Sequence, residues 1–377
     1  MSHFGNKPDP RTKALMAHSV VTLFPWCALD TGPLPYSHIY DPVMYSGFLN
    51  TSVDHMRNRG RLGKRHETSS NPETPFKTEK DKDIEVSRLA KVHYDGSKGK
   101  ETEIVKRMSD LFNYRQNYLR NNSDVTTTDI LQLYPQFKKI PHLILLEYKL
   151  ILDAKGMPMP QFEEIWYEYS KRILRIVICE TKPGPGLKTL FSEFSVDLDI
   201  RPDPDSAQSP LYLLTPDEQN VLGLLSIPYL LPPNPVKKGQ KKTEGCTSVD
   251  AQKHLVSFLK STMCIDEAVQ SLKKDLTLTQ PCLLVFTQTG APASEIAQIC
   301  LVIDLEGIIL PTTDIAVALK YLFASFQAWN IVYPSELVPT YQFLELAFGI
   351  ETLVKTKKKK KSGSSKAQEL FLHLKNY

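Results

Sequence analysis

The chain lacks the residue pairings on which most recognisable chemistry depends. Its six cysteines, Cys27, Cys179, Cys246, Cys264, Cys282 and Cys300, include no CxxC pair, so a zinc cage or a redox dithiol has no local support. No GxSxG is present for a nucleophile elbow. The glycines of Lys182-Pro183-Gly184-Pro185-Gly186 lack the GK[ST] of a phosphate cradle and the strand-to-helix order around it. No apolar run is long enough to span a bilayer: the best stretch, Ile315 to Tyr333, contains Lys320 and Gln327 and reads as amphipathic. Charge of one sign is also lacking, since 46 Lys and Arg against 42 Asp and Glu leave a net charge of only +4, too little to dictate a partner. The opening MSHFGNKPDPRTK is polar and broken by prolines, so a soluble intracellular protein, nuclear or cytoplasmic, with reduced thiols and no membrane contact is expected. Catalytic, metal-binding and cofactor-binding residues are all read as none, no cofactor is expected, and the chain is read as not an enzyme.

What the chain does have is a core. With 41% hydrophobic and 23% charged residues it can bury one, and its 377 residues suffice for two modest domains plus linkers. The densest folding information lies between Asp314 and Gly349. Ile315, Ala318, Leu319, Leu322, Phe326 and Trp329 recur at helical spacing, with Thr312, Thr313 and Asp314 offering N-cap oxygens ahead of them. Tyr333-Pro334 breaks the helix. A second helix carries Leu337, Tyr341, Leu344 and Phe348 on one face, with Pro339 in its first turn and Gly349 as a left-handed stop. The short apolar runs Leu283 to Phe286 and Ile299 to Ile303 suit buried strands beneath these helices.

Taken in order, residues 1–16 are expected to lack structure, and residues 17–56 read as a loop-rich module dense in aromatics and prolines, with Val20 to Phe24 as a strand ended by Pro25. Residues 57–82 have linker composition. Residues 83–180 read as a helical domain: one helix holding Ile104, Met108, Leu111, Arg115 and Leu119, a second capped by Thr126 to Thr128, a third over His142–Asp153, and a fourth over Phe162–Ile178. Residues 181–247 form a proline-rich hinge with short pieces, of which Leu211 to Leu231 reads equally as short helices or a strand. Residues 248–377 read as an α+β domain, with helices over Ser248–Leu259, Asp266–Leu272 and Ala367–Leu374 and a Lys-rich loop at 355–366. The fold class expected is α+β: a helical unit followed by a C-terminal unit with a small sheet packed by helices.

Three blocks occur in order: VTLFPW with TGPLPYSHIYDP and GFL; MSDLFNYRQNYL with LQLYPQFK and LILLEYKLIL; and DIAVALKYLFASFQAWNIVYPSELVPTYQFLELAF with LFLHLKN. Together, over about residues 20–377, they resemble the region downstream of the SAM domain in the sterile alpha motif domain-containing protein 3-like family. The SAM domain itself is not found in this sequence. The resemblance implies an intracellular protein without established chemistry, and it supplies no catalytic residue to carry over.

The remaining candidates are charges and histidines. Arg57, Arg59, Arg61, Lys64 and Arg65 form one basic cluster, and Lys357, Lys358, Lys359, Lys360 and Lys361 form a second, with Lys355 beside it. Each reads as a solvated segment, an import signal or a phosphate-tracking patch; neither has interleaved aromatics for base stacking. Asp197, Asp199, Asp203 and Asp205 alternate, but without the central Gly and terminal Glu of a calcium loop. His142 and His254 lie by apolar helix faces, where hydrogen-bonded structural histidines are commoner than bases, and Cys246 and Cys264 flank His254 at no standard zinc spacing. Glu147 and Glu163-Glu164 read as helix-surface charges. The leading expectation is a non-enzymatic intracellular module that binds an unspecified protein partner. The alternatives are a nuclear protein that binds nucleic acid through the two basic clusters, and a degenerate enzyme.

Overall fold

The computed structural model describes residues 10–25, 28, 35–36, 39–40, 79–122, 125–200, 210–233, 246–276, 280–304, 306–350 and 365–376. The chain divides into two units, Met1–Thr74 and Pro75–Tyr377.

In the first unit the described structure is dominated by helix α1, Pro10–Leu23. From residue 10 to 16 it takes the place of the unstructured start expected there, and from Val20 to Leu23 that of the expected strand; residues 1–9 lie outside the described residues. The branched residues Val20, Val21 and Thr22 favour a strand only where a neighbouring strand takes up their backbone groups; a helix satisfies those groups within itself. Ala17 packs with Ile39 and Tyr40, and Ala14, Val21 and Tyr36 close around them.

The second unit opens with helices. They are α2 (Glu79–Ala90), α3 (Lys98–Asp110), α4 (Phe112–Asn121), α5 (Thr127–Leu133), α6 (Gln136–Lys139), α7 (His142–Asp153) and α8 (Phe162–Cys179). Thr126 and Asp129 form a reciprocal capping box at the start of α5, as the threonine run led one to expect. The single helix expected from Ile104 to Leu119 is instead two, broken at Leu111, and at the break the Met108 carbonyl accepts from Arg115 at 3.0 Å.

Helix α9 (Pro185–Ser192) begins inside the proline-glycine stretch, with Pro185 in its first turn. Helix α10 (Pro216–Leu230) resolves the segment that sequence left open. Thr215 and Glu218 cap it, and every residue from Asn220 to Pro228 is buried. A helix buried on all sides shows no polar stripe, so periodicity could not identify it. It packs tightly on α8 at Gly223, where an added Cβ would come within 2.8 Å of the Ser170 Cβ.

Helix α11 (Ser248–Leu255) passes directly into strand β1 (Val256–Lys260), correcting the helix expected to run to Leu259. Leu255, Val256 and Phe258 fit either period, and pairing with a buried neighbouring strand decides the outcome. Helix α12 (Ile265–Leu276) connects β1 to strand β2 (Cys282–Thr287), followed by β3 (Ile296–Ile303) and β4 (Glu306–Ile309). The order is β1-β2-β3-β4; β1 and β2 are parallel, and the other pairs are antiparallel. Alternation divides the faces. Leu283, Val285, Ile299, Leu301 and Ile308 join the main core, whereas Cys282, Leu284, Phe286, Cys300 and Val302 pack with Ala268 and Val269 of α12.

Helix α13 (Ile315–Ala328), capped by Asp314 accepting from the Ala316 N–H at 2.7 Å, packs on the main-core face together with α14 (Val338–Ala347) and α15 (Lys366–Lys375). Gly349 takes a φ of +66°, the expected left-handed stop. The α+β class is therefore observed: helices surround a small mixed sheet. The buried residues of the helical stretch and of the sheet region belong to one core that runs from Val86 to Leu374. Tyr148 of α7 and Phe162 of α8 meet Phe323 and Phe348 edge-on or tilted, so the aromatic centre draws on both halves of the sequence.

Candidate binding cleft beside Trp329

The end of α13 forms one wall of a cleft of about 360 Å³. Trp329 caps that helix and makes an edge-to-face contact with Phe137 at 5.5 Å between centroids. Leu119 from α4, Val125 and Ile130 from the start of α5, and Ile331 and Val332 beyond the tryptophan supply the apolar lining. Thr126, Thr127, Gln280, Asp304 and Asn330 supply polar atoms. The lining is therefore mixed, and the volume lies at the lower end of the range of small-molecule sites.

The backbone turns left-handed at two places beside the cleft. Asp304, at the β3–β4 turn, has φ +48°, and Asn330, just past the end of α13, has φ +52°; Asp and Asn adopt this conformation readily at turns and helix ends, and at Asn330 it lets the Ile331 N–H donate to the Phe326 carbonyl at 2.9 Å. Asp304 is held there by Thr128, whose hydroxyl donates to its Oδ2 at 2.8 Å and whose backbone N–H donates to the same oxygen at 3.3 Å. Trp329 is only 5% exposed, and its indole N–H is buried with no acceptor among the described residues. A donor left unmet in this way costs about 1–3 kcal/mol. Trp166, Tyr148 and Tyr341 also bury unmet polar atoms, but none of them lines this cleft.

Behind the cleft lies a buried ionic network that the sequence reading missed. Glu147, expected on a helix surface, is buried and accepts from Arg115 and from Gln116, the latter at 2.7 Å. Gln116 also donates to the carbonyl of Ala328 at 3.1 Å, next to Trp329 in the chain. The Arg115 guanidinium lies 5.0 Å from the Tyr134 ring and 5.7 Å from Phe137, the ring that supports Trp329. The network thus ties α4 and α7 to the helix end that forms the cleft wall.

The other residues singled out from sequence are dispersed. The basic clusters Arg57, Arg59, Arg61, Lys64, Arg65 and Lys355, Lys357 to Lys361 lie outside the described residues, as do Cys27, Asp203 and Asp205. Asp199 pairs with Lys188, and its N–H donates to Asp197 at 2.8 Å. Glu163 pairs with Lys320 at 3.1 Å. His142 sits 3.4 Å from Glu101 at the surface. His254 is half-buried with its Nδ1 unmet, and burial lowers its pKa while Glu336 and Asp250 oppose the shift. Burial raises the thiol pKa of nearby Cys246, as do the same two carboxylates, which is the opposite of nucleophile activation. Among the described residues no group of three His, Cys, Asp or Glu is placed to hold a metal ion, and no helix is long and apolar enough to cross a membrane. Comparison of the chain with protein-family models, with curated proteins and with solved structures gives no match.

Proposed function

We propose that this protein is a non-enzymatic intracellular module that binds another protein, and that α1 carries the contact. One observation supports this reading. While Ala17 and Val21 of α1 pack within the first unit, Leu15 and Leu23 on the same helix are 68% and 73% exposed, and Val20 lies at the i−3 position to Leu23. An amphipathic helix with one face packed at home and apolar residues on another suits the helix-in-groove mode, so the partner expected is a protein with an apolar groove. The test is affinity capture by the full chain and by a Leu15→Glu, Leu23→Glu variant. A partner held by the first and lost by the second supports the proposal; a chain that stays monomeric and captures nothing opposes it.

A second reading, supported by the runs Arg57 to Arg65 and Lys357 to Lys361, is nucleic-acid binding in the nucleus. Neutralised phosphates release counterions, so such binding would weaken steeply with salt. Titration with duplex DNA and with single-stranded RNA at low and physiological salt, beside a variant with both clusters changed to serine, tests it. Binding that persists at physiological salt and vanishes in the variant favours this reading; equal binding by both chains opposes it.

A further inference from the structure

We propose that α15 is an exchangeable latch: it closes the groove between α8 and α14 in its own chain, and the same helix of a second copy of this chain takes that groove in its place. The fit is between one face of α15 and the two helices it rests on. Ala367, Leu370, Phe371 and Leu374 follow one another at helical spacing, and all four join or pack against the main core. Phe371 stacks on Tyr169 of α8 at 6.2 Å between centroids, and Tyr169 in turn meets Phe343 of α14 edge-on at 6.0 Å. Polar bonds fasten the last turn: Arg172 of α8 donates to the Leu374 carbonyl at 3.1 Å, and His373 lies 2.8 Å from Glu180.

Little else holds this helix down. Of its ten residues only Ala367 and Leu374 are buried, against seven of ten in α14. At its start the Ser365 hydroxyl accepts from the Gln368 N–H at 3.3 Å, a single bond where α5 and α10 each have a reciprocal pair. Local opening costs least where few apolar groups are buried, so α15 leaves its groove more readily than α8 or α14 leaves the core. Residues 351–364 separate Ile350 from Ser365. Extended, that stretch spans about 50 Å, enough for α15 to reach a neighbouring molecule. The occupant follows from the fit: a second copy brings the same four apolar residues, the same ring stack and the same fastening at the last turn. A helix on a tether of this length meets its own groove at an effective concentration of about 1 mM, so closure within the chain prevails in dilute solution and exchange needs crowded copies or an impaired latch.

The test uses two full-length variants with complementary lesions. Leu374→Asp spoils the latch and leaves the groove; Tyr169→Ser with Arg172→Glu spoils the groove and leaves the latch. A latch at least tenfold more closed than open has a Kd between copies at or below about 0.1 mM, a tenth of the effective concentration. At that concentration, sedimentation velocity is expected to find a dimer in the equimolar mixture that neither variant forms alone. The Leu374→Asp chain is expected to keep a cooperative unfolding transition and to lose by circular dichroism no more helix than the ten residues of α15. A fluorescent peptide of residues 365–377 gives a second reading without the groove variant: it is expected to bind the Leu374→Asp chain at least tenfold more tightly than the intact chain, whose groove is filled. A mixture with no more dimer than its separate parts, a Leu374→Asp chain that loses helix beyond α15, or a peptide that binds neither chain or both equally overturns the proposal.

Discussion

Arg115 and Glu147 form an ion pair inside the second unit, the guanidinium 1% and the carboxylate 2% exposed. Both charges are satisfied: Arg115 also reaches the Met108 carbonyl, and Glu147 also accepts from Gln116. Removing one partner leaves the other charged and buried without its counter-charge. Glu147→Ala is therefore expected to destabilise the unit by about 3–5 kcal/mol, whereas a matched apolar pair, Arg115→Met with Glu147→Leu, is expected to recover most of the loss. Urea unfolding of the three chains measures both effects.

The approach of α8 to α10 depends on one missing methyl group. A Cβ at Gly223 would sit 2.8 Å from the Ser170 Cβ and 3.0 Å from its Cα. Because the Cα is backbone, the helices must part to make room. Gly223→Ala is expected to destabilise by about 1–3 kcal/mol despite the better helix propensity of alanine, and a denaturant midpoint that rises would contradict the packing described.

The two cysteines between the sheet and α12 should be inert. Burial pushes the Cys282 and Cys300 thiols up to about 12, so almost no thiolate is present near neutrality. Iodoacetamide at pH 8, followed by peptide mapping, is expected to label the exposed Cys264 in the folded chain and to reach Cys282 and Cys300 only after unfolding.

His254 gives stability a pH dependence of known sign. Its folded pKa is depressed, chiefly by burial, below an unfolded value of about 6.5. The unfolded chain therefore takes up this proton first as pH falls. The contribution is complete above pH ~6.5 and is lost as pH drops toward the folded pKa. Replacing His254 with Gln is expected to flatten the stability profile between about pH 7 and pH 5, the span on either side of that unfolded value.

Much of this fold is legible in the sequence where an element has one wet side. The His142–Asp153 helix, the caps at Thr126 and Asp314 and the stop at Gly349 all follow from local spacing. Legibility fails where tertiary surroundings decide. Helix α10 is buried all round, β1 takes its form from β2, and Glu147 looks like any helix-surface acid until Arg115, 32 positions earlier, is brought beside it. The cleft is hidden for the same reason: its residues come from 119–130, 280, 304 and 329–332. Trp329 reads in sequence only as a core position, and nothing local marks Asp304 as left-handed or shows that the indole lacks an acceptor among the described residues.

The measurement that bears most directly on the proposed function is quantitative affinity capture of partners by the intact chain beside the Leu15→Glu, Leu23→Glu chain, with proteins identified by mass spectrometry. Both leucines are exposed, so the changes should leave the fold and unfolding midpoint alone. The account predicts a defined protein partner retained by the intact chain at physiological salt and reduced at least tenfold in the variant. Equal recovery by both chains, or recovery of no protein by either, would contradict it.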